Sequence, residues 1–151
     1  MLDQYTKLMV SLHIPINHSV KVVEEFFSLT HIRNSGVAFG LFAGQQSEYK
    51  ALMFITISTI AIIAILVIFH QTPKDKKIVQ TGLILIFSGA IGNLIDRTLH
   101  GEVIDFVDLF IKTYHFPAFN IADSCITIGV ALMVVDLFCG EPSSDSSANI
   151  H

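Results

Sequence analysis

The chain has 151 residues, 52% of them hydrophobic and 15% charged, with a mean hydropathy of +0.62 and a formal charge of -4. That length sets one domain, 1–151, rather than two. The apolar excess, against roughly 25% charged residues in ordinary soluble domains, comes in long runs that water disfavours and a bilayer accepts. A mildly acidic chain with no basic stripe excludes nucleic acid as a partner.

The opening segment, Met1–Ile14, carries Asp3, Lys7 and His13. It is too short and too polar to cross a bilayer alone, since about 20 apolar residues are needed. The later elements nevertheless require a crossing here. Residues 1–14 are therefore expected to be a partial span, either the end of a first helix or a segment dipping into the outer leaflet. No basic region with a cleavage site marks a signal peptide. From Pro15 to Lys50, Val, Phe and Ile mix with polar residues and with Asn34-Ser-Gly36. Short strands and a turn are expected there.

Ala51–Phe69 contains no charge over 19 residues, enough to cross the hydrocarbon. A buried helix of a soluble core is the competing reading, and two comparable stretches further on argue against it. The loop Gln71–Lys77 carries Lys74, Lys76 and Lys77. Short Lys-rich loops stay in the cytoplasm. By alternation, residues 15–50 and 100–117 fall outside, and the tail from Gly140 to His151 falls inside and is expected to be disordered.

A second span is expected over Ile78–Ile95, where Gly82, Gly89 and Gly92 let helix backbones approach closely. A third is expected over Phe119–Cys139, with Asp123 near its start. Cys125 and Cys139 lie fourteen residues apart, roughly 21 Å on one helix. A disulfide needs Cα atoms within about 7 Å, so both are read as small packing residues. No internal repeat points to an inverted-repeat transporter.

Ionisable groups at membrane depth cost roughly 2.5–3.5 kcal/mol on insertion scales and persist where they have partners or a task. Here they gather at the outer ends of the second and third spans. Asn93 and Arg97 share a helix face, with Asp96 nearby. They are either a local ion pair anchoring the helix end or part of a site. Asp105, between Ile104 and Phe106, is either solvated on one edge or desolvated for use. Asn120 can cap the third helix by accepting the Asp123 N–H, leaving Asp123 a favourable first-turn anion. Alternatively, Asp123 faces a cavity. Two converging carboxylates cannot both ionise cheaply, so one keeps a proton. Such a pair can activate water and protonate a leaving amine, as in aspartic proteases.

The motifs Asn34-Ser-Gly-Val-Ala-Phe39, Ser88-Gly-Ala-Ile-Gly-Asn-Leu-Ile-Asp-Arg97, Val103-Ile-Asp-Phe106 and Phe116-Pro-Ala-Phe-Asn-Ile-Ala-Asp-Ser124 resemble those of the lipoprotein signal peptidases, also called signal peptidase II. The opening Asp3-Gln-Tyr-Thr-Lys7 resembles the motif in that family's first membrane helix. The resemblance covers nearly the whole chain, in order. It implies an all-α membrane protein: a four-transmembrane-helix bundle with a small periplasmic β-cradle. It implies removal of the signal peptide from diacylglyceryl-modified prolipoproteins, cut before the lipid-modified cysteine. The implied catalytic pair is Asp105 and Asp123. Asn34 and Arg97 are assigned to substrate positioning, Asn93 and Asn120 to orienting the pair, and Asp3 and Lys7 to structural support. Two departures stand out: Ser88 replaces a usual glycine, and the chain starts only two residues before the first motif, so the first helix is expected to be incomplete.

Implied with these are a multi-pass bacterial inner-membrane location, a monomer, and no metal or cofactor. The partners are membrane lipids and lipid-modified prolipoproteins. Two other readings compete. One is a proton- or ion-coupled carrier using Asp96, Asp105 and Asp123. Its polar residues sit near one surface, whereas carriers bind near the midplane. The other is a metal-dependent hydrolase using His100, Asp105, His115 and Asp123. No close metal-binding spacing supports it, and the two histidines read as solvated loop residues.

Overall fold

In the computed structural model, residues 1–36 and 47–139 are described. The Val37–Phe39 part of the first outer motif, the strands expected as far as residue 46, and the tail from residue 140 lie outside them. The described residues form α1 (Leu2–His13), β1 (Ser19–Val23), β2 (Phe27–Asn34), α2 (Ser47–Gln71), α3 (Lys77–His100), β3 (Val103–Ile111), β4 (Tyr114–His115) and α4 (Ile121–Cys139).

Among the described residues, three helices are long and apolar enough to cross a membrane: Tyr49–Gln71, Lys77–His100 and Ile121–Cys139. Each matches an expected span, with shifted ends. Residues 47–50 begin α2 instead of closing the outer segment. On α2, Leu52, Ile57, Ile60, Ile63 and Val67 all point away from the protein. In water that face would be a liability; hydrocarbon is its natural solvent.

α1 has 12 residues, about 18 Å of helix, short of a full crossing. Its pattern is inverted relative to a soluble helix. Asp3 and Lys7 face inward with Val10, while Leu2, Leu8 and Leu12 face outward. Polar groups turned into the protein and apolar ones turned out is the arrangement a bilayer favours.

The strands form one antiparallel sheet in the order β1-β2-β3-β4. Residues 103–111, expected only as an outer loop, are a nine-residue strand. The β2–β3 register sets Ile32 opposite Asp105 and Asn34 opposite Val103. Val10, Ile14 and Phe106, backed by Leu29, Val107 and Ile121, form a small core joining α1, the sheet and α4. The buried His31 Nδ1 lies 2.8 Å from the Ile14 carbonyl and ties β2 to the end of α1.

α3 and α4 pack backbone to backbone. A Cβ on Gly82 would lie 2.7 Å from the Gly129 carbonyl oxygen, and one on Gly129 would lie 2.5 Å from that of Gly82. Glycine is required for this approach, as the small residues of the second span led one to expect. Cys125 is half-buried, but Cys139 is exposed on the outer face of α4 rather than packed inside.

Candidate active site

Three local features bring the polar residues to one end of the bundle. α3 ends at Gly101 in the left-handed region (φ 75°), its N–H bonded to the Arg97 carbonyl. That sharp exit turns the chain straight into β3. The segment before α4 pairs with β3 through Phe119: the Val107 N–H donates to the Phe119 carbonyl at 2.8 Å, and the Phe119 N–H returns to Val107 at 3.1 Å. Asn120 is thereby set beside Asp105. Finally, Asn34 and Asp105 are diagonal neighbours across the β2–β3 pair, within side-chain reach.

Asp105 is buried and held from both sides. Asn34 Nδ2 donates to its Oδ2 at 2.8 Å, and Asn120 Nδ2 donates to its Oδ1 at 2.8 Å. Burial pushes the Asp105 carboxyl above its ordinary pKa, and the nearby Asp123 charge adds to this. The Asn34 and Asn120 donors and the Lys7 charge oppose it.

Asp123 is half-buried in the first turn of α4. Asn93 Nδ2 donates to its Oδ1 at 2.7 Å. The expected cap is present: the Asp123 N–H donates to Asn120 Oδ1 at 2.9 Å. Asp123 Oδ2 in turn accepts the Asn120 N–H at 3.3 Å, a reciprocal capping box. Both alternatives for Asp123 therefore hold at once. It caps the helix and also lines a recess of about 510 Å³ with Phe119, Ser124, Thr127 and Ile128.

A bridge of two asparagines links the carboxylates. Asn120 Nδ2 lies 2.8 Å from Asp105 Oδ1 and 3.2 Å from Asn93 Oδ1, and Asn93 Nδ2 reaches Asp123. Asn120 is fully buried and Asn93 nearly so.

Behind Asn93 lies a buried ionic cluster. Lys7 Nζ donates to Asp3 Oδ2 at 2.8 Å, Asp96 Oδ2 at 2.8 Å and Asn93 Oδ1 at 3.0 Å. An ammonium has three donors, and all are used. Asp3 Oδ1 accepts the Ala122 N–H at 2.9 Å, and Asp96 Oδ2 accepts the Ile104 N–H at 3.1 Å. Gln4 Nε2 donates to Asp96 Oδ1 at 2.8 Å and to the Gly92 carbonyl at 3.0 Å. One cluster thus grips α1, α3, α4 and the residue before Asp105.

All eight residues singled out from the sequence, Asp3, Lys7, Asn34, Asn93, Arg97, Asp105, Asn120 and Asp123, meet in this region. Arg97 is the most loosely held: its guanidinium lies over the Phe54 ring, 5.4 Å from the centroid. Two participants lay outside the sequence assignment, Gln4 and Asp96. The sequence pairs Asp96 with its neighbour Arg97 or offers it as a carrier relay site; in the structure its ion pair is with Lys7. Fully engaged carboxylate oxygens make it a poor station for a moving ion.

The metal-hydrolase ligand set does not assemble. His115 is in β4, not a loop, and its Nδ1 lies 2.9 Å from Asp108 Oδ1. Its ring stacks on Phe110 at 4.7 Å. Among the described residues, no three His, Cys, Asp or Glu side chains are placed to hold a metal ion.

The pattern of the signal peptidase (SPase) II family matches residues 1–139. The chain belongs to the signal peptidase II family. It is 46% identical over 136 residues to a lipoprotein signal peptidase of Geobacter sulfurreducens, covering 90% of this chain and 84% of the relative. With the lipoprotein signal peptidase of Desulforapulum autotrophicum it shares 45% identity over 133 residues, 88% of this chain and 82% of the relative. With that of Halalkalibacterium halodurans it shares 38% over 149 residues, covering 99% and 92%. A bacterial membrane enzyme solved by the in meso method at 1.9 Å superposes with a TM-score of 0.81 at 39% identity, covering 93% of this chain and 87% of that one. Membership of signal peptidase II makes the chain a membrane peptidase and disfavours the carrier reading.

Proposed function

We propose that this chain is an aspartic-type endopeptidase that removes the signal peptide from diacylglyceryl-modified prolipoproteins, cutting before the lipid-modified cysteine. The relatives named lipoprotein signal peptidase support the substrate class. The observation that carries the chemistry is the Asn120–Asn93 bridge between Asp105 and Asp123.

The raised Asp105 carboxyl is the member that keeps its proton, and Asp123 is the base. Asp123 takes a proton from water as the water oxygen attacks the scissile carbonyl carbon. Asp105 gives its proton to the carbonyl oxygen. The resulting gem-diol collapses: Asp105 recovers a proton from a hydroxyl, the C–N bond breaks, and Asp123 returns its proton to the leaving amine. Asn93, Asn120 and Asn34, the last expected to position substrate but bonded to Asp105 instead, hold the pair in place, and Arg97 positions the peptide.

We place the protein as a monomer in the bacterial inner membrane, with α1 as part of a fourth crossing. Lys74 and Lys76 in the α2–α3 loop, with Lys77 opening α3, support a cytoplasmic loop. The sheet and dyad then lie on the periplasmic side and the C-terminus in the cytoplasm. The test is a processing assay on a lipidated prolipoprotein. Asp105→Asn and Asp123→Asn each abolish cleavage in inserted protein, and strong chelators leave the wild type active. Cleavage surviving either substitution removes that residue from the mechanism.

A further inference from the structure

Phe54, on α2, belongs to no motif and touches neither carboxylate, yet two arms of the site rest on it. Its face carries the Arg97 guanidinium, 5.4 Å from the ring centroid, within the roughly 6 Å range of a cation–π contact. Its edge supports Gly36: a Cβ at that position would lie 2.8 Å from both Cε2 and Cζ of the ring. Gly36 has φ 79°, and its N–H donates to Asn34 Oδ1 at 2.8 Å. The other end of that amide, Nδ2, donates to Asp105 Oδ2 at 2.8 Å. A continuous chain of contacts therefore runs from the α2 ring through the Gly36 backbone and the Asn34 amide to the carboxylate.

We propose that Phe54 is a positioning residue of the dyad: its ring seats the Asn34–Gly36 turn that orients Asp105 and fixes Arg97 on the same platform. This rests on the reading of Asp105 as catalytic. Asn34 is exposed at the end of its strand, and a long-range side-chain hydrogen bond there needs its turn held still. A flat ring provides that seat without a polar group, and the missing Cβ of Gly36 lets the backbone come down onto it. The same ring holds a cation near two carboxylates without spending the guanidinium's own donors, which stay available to a peptide carbonyl.

The measurement is steady-state cleavage of a lipidated prolipoprotein by the full chain across pH. Phe54→Leu keeps apolar bulk but removes the flat face. It lowers kcat about tenfold or more, the scale set by small misplacements of reacting groups, with KM within about twofold. Losing the Asn34 donor also moves the alkaline limb of the profile upward by about half a unit to one unit, the share of one hydrogen bond. Phe54→Tyr, which keeps the ring, restores both. In an Asn34→Ala background Phe54→Leu moves the limb no further. Phe54→Met provides a second ring-less variant if Phe54→Leu does not fold.

A wild-type kcat in the ring-less variants overturns the proposal. So does a loss confined to KM, or a limb shift that adds to that of Asn34→Ala. Asp105→Asn is run alongside. If it cleaves, the catalytic reading itself fails; if it is inactive while Phe54→Leu behaves as wild type, only the role of Phe54 is lost.

Discussion

Lys7 donates to Asn93 Oδ1 at 3.0 Å, and that contact decides which way the Asn93 amide faces. An ammonium has no acceptor, so the amide oxygen must point at Lys7 and the NH₂ group at Asp123. A residue in the first helix thus orients a carboxylate in the last without touching it. Lys7→Met would leave Asp3 and Asp96 buried without their cation. Removing one partner of a buried ion pair costs about 3–5 kcal/mol, so thermal unfolding in detergent should show a large drop in Tm. Lys7→Arg should not restore it, because three acceptors converge on a single nitrogen and a planar fork cannot match them.

Asn120 does two jobs with its two amide atoms, and they can be separated. Its Oδ1 caps α4 by accepting the Asp123 N–H, and its Nδ2 donates to Asp105. Asn120→Asp keeps the capping oxygen but sets a third carboxylate against Asp105. Cleavage should fall by about a hundredfold or more, with the helix end intact. Asn120→Ala should lose both functions, the cap alone costing about 1 kcal/mol. A circular-dichroism melt beside the cleavage assay distinguishes the two variants.

The three long helices were legible because hydrocarbon demands long uncharged runs, and Ala51–Phe69 satisfies that locally. Asn93, Asp105, Asn120 and Asp123 stand out in the sequence because they are polar where polarity is expensive, whereas Asp3, Lys7 and Asn34, and every assigned role, come from the motif resemblance. What stayed hidden depends on contacts distant in sequence. β3 reads as a loop until β2 pairs with it, and Asn34 meets Asp105 across 71 positions. Asp96 sits beside Arg97 in the chain, so a local pairing looked sufficient. Its actual partner is Lys7, on another helix. Gln4 and Phe54 carry no periodic or compositional signal at all: one is a polar residue in a polar segment, the other an aromatic in an apolar one.

Gly89 controls how closely α3 approaches α4. A Cβ there would overlap the Ala122 carbonyl oxygen and come within 2.8 Å of the Ile126 side chain. Ala122 immediately precedes Asp123, so relief of the clash must displace the carboxylate. Gly89→Ala should destabilise by about 1–3 kcal/mol, the cost of overpacking. It should also reduce kcat at temperatures where the protein is still folded. The control is Gly101→Ala, where the nearest atom to a new Cβ is Ala51 Cβ at 3.8 Å. That substitution strains a left-handed residue without crowding α4. Activity measured well below both melting temperatures should separate crowding at α4 from general instability.

The pH profile carries the sign of the Asp105 environment. Burial raises this carboxyl above its ordinary pKa, and the Asn34 and Asn120 donors pull it part of the way back. The proposed mechanism needs Asp105 protonated, so activity is expected below its pKa and is lost as pH rises through it. The upper apparent pKa of the coupled pair therefore sets the alkaline limb. Asn34→Ala removes a hydrogen bond made to the charged form, which favours the neutral form and raises that pKa. The alkaline limb of kcat/KM should move to higher pH by about half a unit to one unit, even as the maximum rate falls. A shift of the acid limb to higher pH instead, with the alkaline limb unmoved, would show that Asp105 works as the ionised partner and would exchange the two roles within the dyad.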